Sequence, residues 1–303
     1  DKEIYGVRRL AEEETDARWG LHFDLTVPFA RYVLENAGRL EFPFRRYQIQ
    51  KSWRGERPQE GRYREFTQAD IDVVDVATLA PHFEAEMPLV IADVFAKFPV
   101  GDYVIRVNNR KLLSGFYAGI GITDPQETLR TVDKLDKIGP DAVRNLLLER
   151  GLSGEQADSC LRLAQITATD TSFVEEVRAL GVSHPMLDDG LTDLAQVVEI
   201  AAAHIPGIVV ADLKIARGLD YYTGTVYETQ LLGHPEWGTI VGGGRYDALA
   251  SDGKTTYPGV GISIGVTRIL GLLFGAGALS ADRSTPSAVL IAVNDEADRA
   301  QST

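Results

Sequence analysis

The chain has 303 residues, of which 44% are hydrophobic and 25% charged, and its 31 Lys+Arg against 44 Asp+Glu give a formal net charge of −13. That length accommodates a large core and a second domain, and the acidic total argues against non-specific coating of nucleic acid while leaving room for a localised RNA site. Cys160 is the only cysteine, which excludes a disulfide framework and a cysteine zinc site.

His22, His82, His184, His204 and His234 are scattered without ligand spacing, so no metal site is expected. No apolar run is long enough to span a bilayer and no signal-peptide pattern opens the chain, so the expectation is a cytoplasmic protein without a membrane partner. In chain order, Asp1 to Arg9 enters without Met or a helix cap. Tyr47 to Trp53 alternates well enough for a strand, and Phe66 to Val74 forms a second, with Phe66, Ile71, Val73 and Val74 as its apolar members. Gly55, Pro58 and Gly61 between them cannot continue a ladder and mark a loop. From about Pro125 to His204 the period becomes helical, with Leu129, Val132 and Leu135 on one face, then Val143, Leu146 and Leu147 after the Gly139-Pro140 break. Ala157, Leu161 and Ala164 repeat the pattern, as do Leu194, Val197, Val198 and Ala201; Asp124-Pro125 and Thr192 are the expected helix starts. Structural packing is the favoured role for this stretch. Near the end, Val289 to Val293 reads as a buried strand after the breaker Pro286.

Between Arg45 and Arg64 lie seven Lys/Arg and two Glu, a local basic cluster against the global sign. Such a cluster suits a polyanion, either a nucleotide triphosphate or a nucleic acid; a solvated hairpin tip is the plain alternative. Residue order favours the former. Arg54 sits at a strand end, rigid enough to grip a phosphate bidentately, and Phe66 offers a flat face to a purine. Two nucleotide-like patterns fail: Ala248 to Thr255 has Ala248 where a P-loop requires its first Gly and Tyr257-Pro258 replaces its helix, while Gly259 to Gly265 has the wrong glycine spacing for a dinucleotide fingerprint.

The series from Arg54 through Arg62, Arg64, Phe66 and Gln68 resembles motif 2 of class II aminoacyl-tRNA synthetases. Leu213 to Gly224 and Gly242 to Leu249 resemble the two signature peptides of histidyl-tRNA synthetases, Gly259 to Leu270 resembles motif 3, and Phe23 to Tyr32 resembles that family's amino-acid-binding strand and following helix. Together they cover nearly the whole chain in family order. The resemblance implies an α+β fold: a class II antiparallel β-sheet flanked by helices, with a helical insertion and the start of a C-terminal α/β domain. The corresponding domains are 1–123 and 207–280 for the catalytic core, 124–206 for the insertion, and 286–303 for the start of an anticodon-binding domain. It also implies that the chain is a catalytic-core fragment lacking motif 1 and most of the anticodon-binding domain, and that the full-length protein is a homodimer.

The implied activity joins histidine to ATP as histidyl-adenylate, releasing pyrophosphate, and then transfers histidine to tRNA(His). Magnesium arrives with the triphosphate instead of through a protein cage. Two anions must meet, so positioned cations carry the catalysis. By resemblance, Arg54 holds the α-phosphate and Arg217 supplies positive charge between carboxylate and α-phosphate; both are the catalytic candidates. Phe66 and Arg268 sandwich the adenine, Glu56 meets its edge, and Arg62 the outer phosphates. Asp24, Thr26 and Gln68 match ammonium-binding positions, while Asp72, Tyr221, Tyr222 and Tyr246 surround the imidazole. Strand alternation puts Asp72 on the same face as Asp70 and Gln68. Gly242, Gly243 and Gly244 are expected as a turn that lets backbone approach the ligand. Arg57, Gln59 and Arg64, on or beside the motif 2 loop, are candidate contacts to the tRNA acceptor end. The runner-up is a catalytically silent regulatory paralogue for ATP phosphoribosyltransferase, which keeps the fold but lacks intact signature peptides. Another class II enzyme, or a stress-kinase synthetase-like domain, is a third possibility.

Overall fold

The computed structural model of the chain describes residues 3–9, 11, 17–59, 61–98, 100–217, 221–283, 295 and 297. The strand expected at Val289 to Val293 lies outside the described residues, as does the expected start of a C-terminal domain apart from Asp295 and Ala297. Strands β1 (Gly6–Val7) and β2 (Trp19–Gly20) pair as a small ribbon ahead of helix α1 (Thr26–Asn36). The amino-acid-binding segment was expected as a strand, but Phe23 to Leu25 form none. Asp24 Oδ1 instead accepts the Val27 N–H at 3.0 Å and helps start α1, as a short carboxylate before a helix favours. The helix buries Phe29, Ala30 and Val33 in a cluster with Val74, Tyr246 and Tyr257.

The two motif 2 strands are longer than alternation predicts: β3 spans Phe44–Trp53 and β4 spans Glu65–Val74. They pair antiparallel, with Arg46 opposite Asp72 and Gln50 opposite Gln68. Then come α2 (His82–Phe95), β5 (Tyr103–Asn109) and α3 (Arg110–Gly119), the last capped by the Asn109 side chain accepting Lys111 N–H at 2.9 Å. A run of helices follows: α4 (Pro125–Val132), α5 (Leu135–Ile138), α6 (Pro140–Glu149), α7 (Gly154–Ala164), α8 (Phe173–Ala179) and α9 (Pro185–His204), with short β6 (Thr167–Ala168) between α7 and α8. Asp124 caps α4 as expected, accepting Glu127 N–H at 3.2 Å. Thr192 starts no helix. Pro185 occupies the first turn of α9, His184 Nδ1 accepts Met186 N–H at 3.2 Å, and Thr192 lies inside with its hydroxyl donating to Asp188 O at 2.9 Å. Among the described residues, no helix is long and apolar enough to cross a membrane.

The chain closes with β7 (Val209–Asp212), β8 (Thr225–Leu231), β9 (Val241–Tyr246), β10 (Gly259–Gly265) and α10 (Val266–Gly275). The main sheet runs β3-β4-β10-β9-β8-β5-β7-β6, antiparallel everywhere except β5 beside β7. The expected α+β fold, a mostly antiparallel sheet flanked by helices, is what forms. One buried apolar cluster runs from the sheet (Val73, Ile105, Val107, Val260, Ile262) into the helices, taking in Leu129, Val143, Leu147, Cys160, Leu194 and Val198. Helices α3 and α9 cross without side chains between them: a Cβ on Gly115 would stand 2.2 Å from Leu187 N, and one on Gly190 2.2 Å from Leu112 N. Glycine is therefore required at both positions by contact, not by backbone conformation.

Candidate active site

Mid-strand residues of β4 supply the floor of an inner pocket. Period-two alternation turns Gln68, Asp70 and Asp72 to one face, and they are 9%, 3% and 3% exposed. Asp24, Thr26, Tyr221, Tyr222 and Tyr246 complete the walls with Gly242, Gly243 and Gly244. The Tyr246 hydroxyl donates to Asp72 Oδ1 at 2.8 Å, and Arg46 Nη2 lies 2.8 Å from Asp72 Oδ2. That second approach lacks hydrogen-bond geometry, so it is a charge contact and Oδ2 keeps an unspent acceptor. Burial pushes the Asp72 carboxyl upward, while Arg46 and the Tyr246 hydroxyl pull it back. Gln68 Nε2 donates to Ser263 Oγ at 2.6 Å, and Ser263 Oγ donates to Asp70 at 2.5 Å. This chain of donors fixes the amide and leaves Gln68 Oε1 buried without a partner. Burial, opposed by Ser263, raises the Asp70 pKa from 3.8 to about 7. Tyr221 donates to Asp24 Oδ2 at 3.4 Å.

An outer cleft of about 880 Å³ adjoins this pocket and is lined by Arg54, Glu56, Arg62, Phe66, Arg268 and Glu228 among others. Arg54, just past the end of β3, donates Nε–H to Phe23 O at 3.1 Å and lies over the rings of Phe23 and Phe66 at 4.4 and 5.2 Å. Glu56 stands 3.4 Å from Arg62 and 4.0 Å from Arg54. On α10, Arg268 is held by the carbonyls of Thr239 (2.9 Å) and Trp237. Burial lowers its pKa, helped by nearby Arg62.

Arg54, Gln68, Arg217, Gly242 and Ser263 border both spaces. Arg217 is the most constrained of them. Its backbone has φ +56°, a left-handed conformation that costs a β-carbon residue about 1–3 kcal/mol and persists only when neighbours over-determine it. Its Nη1 donates to Glu228 Oε1 at 3.2 Å, while Thr239 donates to Glu228 Oε2 at 2.8 Å. Burial works against the Arg217 charge, but Tyr222 and Glu228 outweigh it and hold the pKa above the ordinary value. Its Nε–H is buried without a partner.

The structure thus brings all the predicted histidine-pocket residues around the inner pocket and all the predicted nucleotide residues around the outer cleft, with Arg54 and Arg217 at the junction. Arg57, Gln59 and Arg64 are exposed and line neither space. Two expectations about the glycines change. They lie within strand β9, not a turn, and their missing side chains make room for protein atoms. A Cβ on Gly242 would meet the Arg217 guanidinium at 2.6 Å, one on Gly244 the Tyr222 ring at 2.6 Å, and one on Gly243 the Gly261 carbonyl at 2.1 Å. Sequence reading missed Arg46, Ser263, Glu228 and Thr239, and it set Asp70 on the face of Asp72 and Gln68 without giving it a role. Register was the available signal for some of them, since Arg46 is paired opposite Asp72 and Ser263 opposite Asp70.

The sequence model of the family described as histidyl-tRNA synthetase matches residues 3–269. The chain is 60% identical to a histidine-tRNA ligase of Cutibacterium acnes, over 100% of this chain and 69% of that protein. It is similar to a crystal structure of histidyl-tRNA synthetase from Nostoc sp. PCC 7120, with TM-score 0.82 and 34% identity over 98% of this chain and 68% of that one. An ATP phosphoribosyltransferase regulatory subunit/histidyl-tRNA synthetase from Bacillus halodurans shares the fold at 18% identity, with TM-score 0.74 over 90% of this chain and 69% of that one. On the whole-chain match and these identities, the chain belongs to the histidyl-tRNA synthetase family.

Proposed function

We propose that the chain is the catalytic part of a histidine-tRNA ligase, which activates histidine with ATP and passes it to the 3′ end of tRNA(His). The observation that carries the histidine reading is the pair of buried, unspent acceptors, Asp72 Oδ2 and Gln68 Oε1, in one pocket. Histidine brings two matching donors, a ring N–H and an α-ammonium. A substrate without the ring donor leaves Asp72 Oδ2 with only its charge contact to Arg46 and no hydrogen bond, a penalty that selects against it. Asp24, Thr26 and Gln68 take the ammonium in this reading, and Asp72, Tyr221, Tyr222 and Tyr246 the ring.

The bound histidine carboxylate attacks the α-phosphorus of ATP; a new O–P bond forms, the bond to the bridging oxygen breaks, and pyrophosphate leaves with its electron pair. The protein supplies charge and orientation at the junction. Arg54 and Arg217 offset the mutual repulsion of the two anions and the charge growing on phosphorus. Phe66 and Arg268 hold the adenine between them, Glu56 meets its edge, and Arg62 the outer phosphates. Magnesium would come with the triphosphate and shield its charges, instead of being held by a cage of protein carboxylates. Arg57, Gln59 and Arg64 face solvent beside the cleft, suited to the acceptor end of tRNA. By the same reading the full-length enzyme is cytoplasmic and homodimeric.

ATP–pyrophosphate exchange with each of the twenty amino acids tests this. Exchange stimulated by histidine alone is expected. Silence with calorimetric histidine binding would favour the regulatory paralogue, a reading less supported by the 60% identity to a ligase across the whole chain.

A further inference from the structure

The left-handed backbone at Arg217 is held by side chains from β5, α3 and α4. Arg110, the first residue of α3 and 5% exposed, donates through Nη1 to the carbonyl oxygens of Ala216 (2.8 Å) and Arg217 (3.1 Å). Its Nη2 donates to Gln126 Oε1 on α4 at 2.8 Å. Asp133, directly after α4, accepts the Ala216 N–H on Oδ1 at 3.2 Å. Asn108 on β5 donates to the Ile215 carbonyl at 2.7 Å. The peptide groups leading into Arg217 are therefore fixed on both their donor and acceptor sides.

We propose that Asp133 and Arg110 are positioning residues for the activation step, with Gln126 orienting Arg110, so that α4 contributes to catalysis and not only to packing. This rests on the adenylate-forming reading above. An unfavourable φ at Arg217 holds only while its neighbours enforce it. When Asp133 releases Ala216, the backbone is free to relax toward ordinary φ, carrying the guanidinium off Gly242 and away from Glu228. Substrate contacts in the inner pocket stay in place, so the loss falls on turnover and not on histidine binding. Asp133 is exposed at the rim of the outer cleft, and Gln126 is exposed too, so replacing either leaves the core untouched.

The test measures histidine-dependent ATP–pyrophosphate exchange by the full-length protein carrying Asp133→Ala, Asp133→Asn or Gln126→Ala, beside the parent, with histidine calorimetry and thermal midpoints. In an active parent, Asp133→Ala is expected to lower kcat on the order of 10²-fold, the scale of a misplacement of about an ångström. The KM values for histidine and ATP and the thermal midpoint should stay near those of the parent. Asp133→Asn keeps an acceptor oxygen and should recover most of the rate, and Gln126→Ala should lose less than Asp133→Ala. Unchanged turnover in Asp133→Ala overturns the proposal. Equal losses in the Ala and Asn variants overturn it too, because charge would then be what matters, and a loss that follows the thermal midpoint marks a merely structural role. A parent silent with every amino acid overturns the adenylate reading itself, and this proposal with it.

Discussion

Asp70 and Asp72 of the inner pocket sit in mid-strand, each 3% exposed and each opposite a partner set by register, Ser263 and Arg46. Arg54 and Arg62 of the outer cleft lie beyond strand ends, with side chains 27% and 45% exposed. The two regions share a border but solve different problems. Telling one amino acid from another calls for desolvated acceptors whose penalty for being left unpaired is large, and a strand interior keeps such groups dry and aimed. Meeting a polyphosphate requires cations with some freedom, since several oxygens must be reached and the leaving pyrophosphate released. Arg217 belongs to neither style alone: its side chain is 23% exposed, close to that of Arg54, yet a left-handed backbone and Glu228 hold it in place as the strand holds the first set.

Breaking that border should have the largest effect. Arg217→Ala is expected to lower the ATP–pyrophosphate exchange rate by roughly 10²–10³-fold, the cost of removing one preorganised transition-state donor, with calorimetric histidine affinity preserved. Lost affinity would instead assign Arg217 to the ground-state pocket. Next, Asp72→Asn should raise the KM for histidine by about 10–100-fold, as loss of a charged, buried acceptor implies, while the KM for ATP moves little. Parallel rises in both would erase the distinction between pocket and cleft. Gly242→Ala sharpens it further, because the added methyl meets the Arg217 guanidinium 2.6 Å away. A loss of about tenfold in kcat, equivalent to 1.36 kcal/mol, is expected with a normal thermal midpoint.

The last effect is read on stability instead of rate, and it concerns pH. Asp70 is raised from 3.8 to about 7 in the folded chain. Between those values the native state holds a proton that the unfolded state has released, so raising pH through this window destabilises the fold, and the cost is complete above pH 7. Asp70→Asn removes the titration and should gain on the parent from pH 4 to pH 8, by at most about 4 kcal/mol. Denaturant midpoints at the two pH values check this; a constant gap would mean Asp70 is ionised throughout.

Residues that form local motifs were legible because their order along the chain carries them: Arg54, Phe66, Gln68, Arg217 and Arg268 all line the spaces expected of them. The antiparallel sheet and the helical run were legible for the same reason. Partners brought together over long sequence distances were not. Arg46 reads as one more basic residue until register sets it against Asp72, and Glu228 is an ordinary strand glutamate until β8 lies beneath Arg217. The glycine triplet misled because a run of glycines looks like a turn, whereas here it is a strand shaved down for its neighbours. Thr192 misled because a cap residue and an interior threonine look alike without the upstream proline being weighed.

The glycine crossing of α3 and α9 bears on how the enzyme can be re-engineered. Residues 125–204 invite treatment as a cassette, to be trimmed or exchanged between relatives while the sheet is kept. Yet α9 lies backbone against backbone on α3, and α3 begins with Arg110, the side chain that grips Arg217. Excising the cassette would strip the backing from the helix that anchors Arg217. A workable minimal version would keep α9 and α4 and shorten only α5 through α8.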